Sequence, residues 1–412
     1  MSTAKRLQLP CDRKERLRYI RQQFPEAGGP DLSEAWPGGR VEALRRLESA
    51  DGQAYERSRN FLDGAVTRLS PYLRHGCLTL REAFDHVHRT SGGRAQKLLF
   101  EFAWRDYWRQ VWYQHGDAIL SDMEVAKVAR GTRPVPQDVL EGETGLPCMD
   151  AFIHDLQGDG YVHNHARMWF AAWLLHWRKV DWRAAADWYV AELLDGDIAS
   201  NHLSWQWVAS TFSAKPYYFN KENLARYSGE RFCRTCQATC PFDDSYEALQ
   251  ARLFDGSAPV SAKHYPIRAV SSTASTQVGE ALVLFHDEML SPAHALSRHP
   301  GPKCFVFDPV LHGGWSLKRL QFVADCLSEM EDVQVWQGSL DAVLRQYGTA
   351  SVVTQRTPQT DLMALLQGCE VAWQAEPEFA PVELGERQLK RFSRYWEKVG
   401  PLLLGDSAYR KP

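Results

Sequence analysis

From residue 281 onward the chain repeats one unit, a short unbroken apolar run followed by a segment of helical length. The runs are 281–285 (ALVLF), 304–308 (CFVFD), 333–336 (VQVW), 351–354 (SVVT) and 370–373 (EVAW), and the helical segment 317–330 (LKRLQFVADCLSEM) is typical of what separates them. Strands this short with little polar alternation must be covered on both faces, and the intervening helices supply the cover. The pattern predicts a doubly wound α/β domain with a parallel sheet over residues 279–380. Its first strand is followed by HDEMLSPAHAL instead of a glycine-rich turn, so the fingerprint of an NAD-binding domain is missing.

Residues 256–278 (GSAPVSAKHYPIRAVSSTASTQV) contain no acidic residue and no leucine, and read as a linker. Upstream, residues 78–89, 95–115, 151–157, 163–177 and 182–194 have helical length and apolar spacing, which predicts a mostly helical domain over 37–228. Residues 1–36 are an N-terminal connecting segment, 229–255 a cysteine-rich tail and 381–412 a C-terminal helical segment. A chain of 412 residues has room for two or three cores. The net charge of −3 means that any nucleic-acid binding rests on a local basic patch. Apolar stretches fall short of the roughly 18–20 residues of a membrane span. The N-terminus lacks an apolar signal core. A cytoplasmic monomer is the expectation.

Ten of the 15 tryptophans lie between Trp104 and Trp207. Composition alone favours core packing, and the functional alternative is a flat ligand with an electron path beside it. The segment LDGDIASNHLSWQWVAS concentrates Asp195, Asp197, Asn201, Trp205 and Trp207, either as a helix cap or as a polar grip on a heterocycle. His163 and His165 open an apolar helix at a spacing that sends them to different faces, which argues against a metal pair. Glu101, Trp104 and Arg105 share roughly one helix face, as a salt-bridge stripe or as a nucleobase platform. Cys233, Cys236 and Cys240 with Pro241 form CxxCxxxCP, part of an iron–sulfur or zinc site one ligand short, and Cys148 is the candidate fourth.

Together these segments resemble the photolyase/cryptochrome flavoprotein family. AYERSRNFLDG, TRLSPYLRHG, EFAWRDYW, TGLPCMDAF, GYVHNHARMWFAAWLL, DWRAAADWY and DGDIASNHLSWQWVAS occur in the family's order over residues 41–226. The resemblance implies bent FAD inside the helical domain. Tyr55, Thr67, Leu69 and Ser70 would line the diphosphate side, where a helix start offers free N–H groups. Arg105 and Asn164 would reach the flavin, Arg167 would pair with Asp195, Asp197 would hold the ring, and Asn201 would sit near flavin N5. Trp205 and Trp182 match the inner and middle members of the photoreduction chain. The usual outer tryptophan has no counterpart, because residues 117–147 contain none.

Glu101, Trp104, Asn164, Met168 and Trp207 match the lesion cavity of cyclobutane-dimer photolyases. The implied activity is light-dependent repair of UV-damaged DNA, in which a flipped dimer is split by an electron from photoexcited reduced FAD. A cryptochrome-like blue-light photoreceptor without repair is the alternative. The cysteines resemble the bacterial iron–sulfur branch, implying a [4Fe–4S] cluster on Cys148, Cys233, Cys236 and Cys240. The family places its α/β domain first, whereas here a similar domain follows the linker. The resemblance therefore implies a circular permutation, with residues 388–404 and 1–36 as severed halves of the interdomain connection. An antenna chromophore is the one cofactor left open, because antenna contacts vary within the family.

Overall fold

The computed structural model describes residues 4–92, 94–254 and 281–405, so the expected linker 256–278 lies outside the described residues. All five expected strands form: β2 Leu282–Phe285, β3 Lys303–Phe307, β4 Val333–Gln337, β5 Ser351–Gln355 and β6 Glu370–Gln374. With a further strand β1 (Lys5–Leu7), the sheet order is β1-β4-β3-β2-β5-β6, with parallel pairing from β4 through β6. Every residue of the central β2 is buried, as a strand covered on both faces requires.

The sixth strand was not expected. β1, Lys5–Leu7, pairs antiparallel with β4, setting Lys5 opposite Gln337 and Leu7 opposite Val335. Lys-Arg-Leu is too short to carry a periodicity, and its two cations suit an edge that must not recruit further strands. The next helix, α1 (Arg13–Gln23), lies on the sheet half as well, because Arg13 and Arg16 both donate to Asp325, at 2.7 and 2.9 Å. The start of the segment read as a connector is thus built into the α/β half.

The helical half contains α2 (Gln96–His115), α3 (Pro147–Asp159), α4 (Asn164–Ala172), α5 (Trp182–Glu192) and α6 (Ile198–Ala209). The helix expected over 163–177 ends as α-helix at Ala172 and continues through one π turn, Trp173–Trp177. Asp181 caps α5 by accepting from Arg183 N at 2.8 Å, and Asp197 caps α6 by accepting from Ser200 N at 2.7 Å. The second carboxylate of the DGD motif, Asp197, therefore begins as a local helix-start device.

The halves meet across two buried seams. In one, α7 (Leu317–Leu327) of the α/β half is buried along its whole length between α1 and the helical half. In the other, Asp287 and Glu288 follow β2, the central strand, at the strand ends where doubly wound folds commonly hold ligands. Here they receive Arg74 at 2.8 Å and Arg109 at 2.7 Å from the helical half. Finally α8 (Phe392–Leu404) packs on α2, with the Phe392 ring stacked on Trp104 at 3.9 Å and 8°. Among the described residues no helix is long and apolar enough to cross a membrane.

Candidate active site

A cavity of about 660 Å³ opens between α2, α4, α5 and α6, within the range of small-molecule and cofactor sites. Its wall follows from helical spacing. Glu101, Trp104, Arg105 and Trp108 form one stripe of α2, and Asn164, Arg167, Met168 and Ala171 one stripe of α4. Asp197, Ser200, Asn201, Ser204 and Trp205 continue the wall along the start of α6, with Trp207 beyond.

The charges on this wall are partnered. Arg167 pairs with Asp195 at 3.3 Å, and Arg105 pairs with Asp197. Burial pushes the Asp195 carboxyl up, but the Arg167 and Arg105 charges and a Ser70 hydrogen bond overcome it and hold the group below the usual carboxylate range. Glu101 pairs with Arg59. There burial prevails over the guanidinium, and the Glu101 carboxyl lies above its ordinary value. Asn201 donates to Ala186 O at 2.9 Å and accepts from Trp205 Nε1 at 3.2 Å, so its amide orientation is set before any ligand arrives.

One buried polar atom on the wall finds no partner, the hydroxyl of Tyr189. An orphaned donor in a cavity of this size suits a polar ligand that completes it.

Of the four residues expected on the diphosphate side, Tyr55 faces the cavity. Leu69 is buried, Ser70 acts on Asp195 from behind, and Val66 lines the wall where Thr67 was expected. Trp205 stands on the wall. Trp182 does not: it is buried, donates to Asp122 at 2.8 Å and packs edge-on against His202. Sequence reasoning missed Arg59, although it lies one helical turn after Tyr55. It also missed Tyr189, for which no local signal exists.

Cys148, Cys233, Cys236 and Cys240 converge on a second, much smaller cavity of about 50 Å³. Burial pushes the Cys148 thiol up to about 12, and the nearby Cys233 and Cys240 add to the rise. Among the described residues no three such side chains close into a metal-holding group. The thiols thus gather without forming a ligand set.

Residues 98–243, which contain most of the large cavity's wall, match the family described as the FAD binding domain of DNA photolyase. Most of the helical half thus matches the FAD-binding domain of photolyases. This FAD-binding domain is similar to the deoxyribodipyrimidine photo-lyase of Halobacterium salinarum, at 33% identity over 207 residues, 47% of this chain and 43% of that protein. The corresponding enzyme of Streptomyces griseus is 36% identical over 187 residues, 44% of this chain and 41% of the relative. Cryptochrome DASH of Danio rerio is 32% identical over 196 residues, 43% of this chain and 38% of the relative. The chain spans less than half the length of each of these relatives.

Proposed function

We propose that this protein is a light-dependent photolyase that splits UV-induced pyrimidine dimers in DNA, with cyclobutane dimers the favoured lesion. The observation that carries the reading is that one cavity holds the Asp195, Asp197 and Asn201 set together with Glu101, Trp104, Asn164, Met168 and Trp207.

The residues fit FAD, because the cavity is large enough, Asp195 and Asp197 are each paired with an arginine, and a buried hydroxyl awaits a partner. Bound there, FAD would supply light-driven electron-transfer chemistry for splitting the dimer. The chain's own residues do the rest. Arg167 and Arg105 hold Asp195 ionised, so that this carboxylate accepts hydrogen bonds and takes up no proton, and Arg105 fixes Asp197 in place by a direct ion pair. Asn201, tied at both ends of its amide, presents a fixed edge to the ring. Trp104, backed by Phe392, and Trp207, beside Tyr217 at 5.7 Å, give a flipped dimer flat surfaces that replace the base stack. Glu101 offers the lesion a carboxyl whose raised pKa favours sharing a proton. Trp205, with Trp182 farther out, connects the cavity to electron donors.

The test is irradiated oligothymidine, fully reduced protein and blue light, read as recovery of monomer absorbance. Recovery that requires light and flavin supports repair. No recovery moves the assignment to a blue-light photoreceptor, a reading also supported by the similarity to cryptochrome DASH.

Two further parts of the proposal concern architecture. Cys148, Cys233, Cys236 and Cys240 would hold a [4Fe–4S] cluster that ties the tail to the FAD-binding domain. Its support is their convergence on one pocket, and iron and sulfide analysis of anaerobically purified protein tests it. The domain order would reflect a circular permutation. In its support, residues after the sheet lie on the helical half through α8, and residues before the helical half lie on the sheet through β1 and α1. A chain rejoined in the order 281–404 followed by 4–254 should fold and bind FAD.

A further inference from the structure

Helix α7 belongs to the α/β half, yet two of its cations end inside the FAD-binding domain. Lys318 is fully buried and donates to Glu192 Oε2 at 2.6 Å and Gln157 O at 2.9 Å, an ordinary buried pairing. Its neighbour Arg319 is 5% exposed and much less well partnered. Its Nε finds no acceptor, and the Asp287 carboxylate, already taken by Arg74 at 2.8 Å, lies 3.7 Å away. The guanidinium rests on the Trp315 ring at 3.6 Å.

What it touches on its other side is the turn between the two cavity carboxylates. A Cβ at Gly196 would fall 2.1 Å from Arg319 Nη1 and 2.2 Å from Cζ, so the guanidinium fills the place of the missing side chain. Gly196 also has φ +46, which side chains rarely adopt. Its neighbours Asp195 and Asp197 both face the cavity. Burial and the Arg74 charge act against the charge on Arg319, while Asp287, Asp195 and Asp197 favour it. An underpaired buried cation is costly, and a carboxylate pair close behind the turn it presses on is the feature that accounts for it.

We propose that Arg319 is a positioning residue of the FAD site, supplied by the α/β half, which fixes the Asp195–Gly196–Asp197 turn and places a positive charge behind it. The inference rests on the FAD reading of the cavity. It makes docking of the two halves part of building the site. The charge favours the electron-rich, reduced cofactor, so its loss makes the flavin harder to reduce.

The test is Arg319→Met, Arg319→Lys and Gly196→Ala in the full chain. FAD affinity is read by fluorescence titration of apoprotein, the flavin midpoint potential by spectroelectrochemistry, and apoprotein stability by thermal unfolding. Arg319→Met should bind FAD about tenfold more weakly, the size of effect that residues acting through a neighbour produce. Its midpoint potential should become more negative, and Arg319→Lys should restore most of the potential. Gly196→Ala keeps the charge but displaces it, and should weaken FAD binding even if Arg319→Met fails to fold. Wild-type affinity and potential in the variants, with only a lower melting temperature, would reduce Arg319 to interface packing and overturn the inference alone. A wild-type chain that takes up no FAD removes the cofactor reading and this inference together.

Discussion

The large cavity and the cysteine pocket lie in the same helical half, and both gather polar side chains from segments far apart in sequence. They differ in who supplies the partners. Asp195, Asp197, Glu101 and Asn201 each have a protein partner, so their geometry is fixed by the fold. The cysteines have one another as neighbours, and burial makes Cys148, Cys233 and Cys240 more reluctant to ionise. A site assembled from ion pairs and hydrogen bonds is preorganised by the chain itself, whereas a thiolate site needs its metal to pull the ligands together.

The sharpest way to break this comparison is Asp195→Asn. It leaves the partly buried Arg167 against a neutral amide in place of the buried Asp195 carboxylate, and losing that partner costs about 3 kcal/mol, or about a hundredfold in FAD retention. The pH dependence has a definite sign. Folding lowers the Asp195 pKa, so its contribution is present above the unfolded value of about 3.9 and is lost as pH falls through the lower folded value. Wild-type protein should therefore release FAD only in acid, and the variant should show no such transition. FAD content after gel filtration across pH measures both. Full retention by the variant would mean that the cavity is not preorganised by this pair.

Cys236→Ala attacks the other side of the comparison. If the thiols wait for metal, iron content should collapse while FAD content holds, because the two pockets have separate walls. Iron-free wild-type protein, stable without it, would instead make these thiols structural.

How far each region could be read from sequence follows the same division. The five parallel strands were legible because a strand buried on both faces must be continuously apolar, and β2 is. Most of the cavity wall was legible because its residues recur at helical spacing along α2, α4 and α6. Features made by distant partners were not. Nothing in LKRLQFVADCL reveals a helix buried along its whole length, since its Lys, Gln and Asp are satisfied from Glu192, Leu17 and Arg16 and its Arg presses on the turn at Gly196, all remote in sequence. Phe392 on Trp104 is a contact of the same kind, and so is β1 on β4.

Trp205→Phe tests whether the wall and the layer behind it act as one path. FAD content should remain, since the indole's bond is only to Asn201, while light-driven reduction of the flavin should fail. Unimpaired photoreduction would move the electron route away from Trp205 and Trp182 altogether, to another aromatic pair such as Tyr189 and Trp188, whose rings lie 6.1 Å apart.

The smallest expected effect on stability belongs to Glu101→Gln, at the exposed rim of the preorganised site. The Glu101 and Arg59 side chains are 32% and 29% exposed, so solvent screens the pair and unfolding should change by less than about 1 kcal/mol. The sign of the pH effect is opposite to that of Asp195. Burial raises the folded Glu101 pKa, so the ionised carboxyl is a cost near neutrality that is relieved as pH falls through that raised value, and the glutamine variant should lack this rise in stability. Repair should nonetheless fall about tenfold with FAD content unchanged, because a charge-assisted hydrogen bond to the lesion is lost. Glu101 thus separates the two functions of one cavity. On the proposed reading Asp195 would serve the cofactor, so that its loss would take everything with it, whereas Glu101 would serve the lesion. A variant that repairs at the wild-type rate would confine Glu101 to holding Arg59 and leave Trp104 and Trp207 as the first residues to meet the DNA.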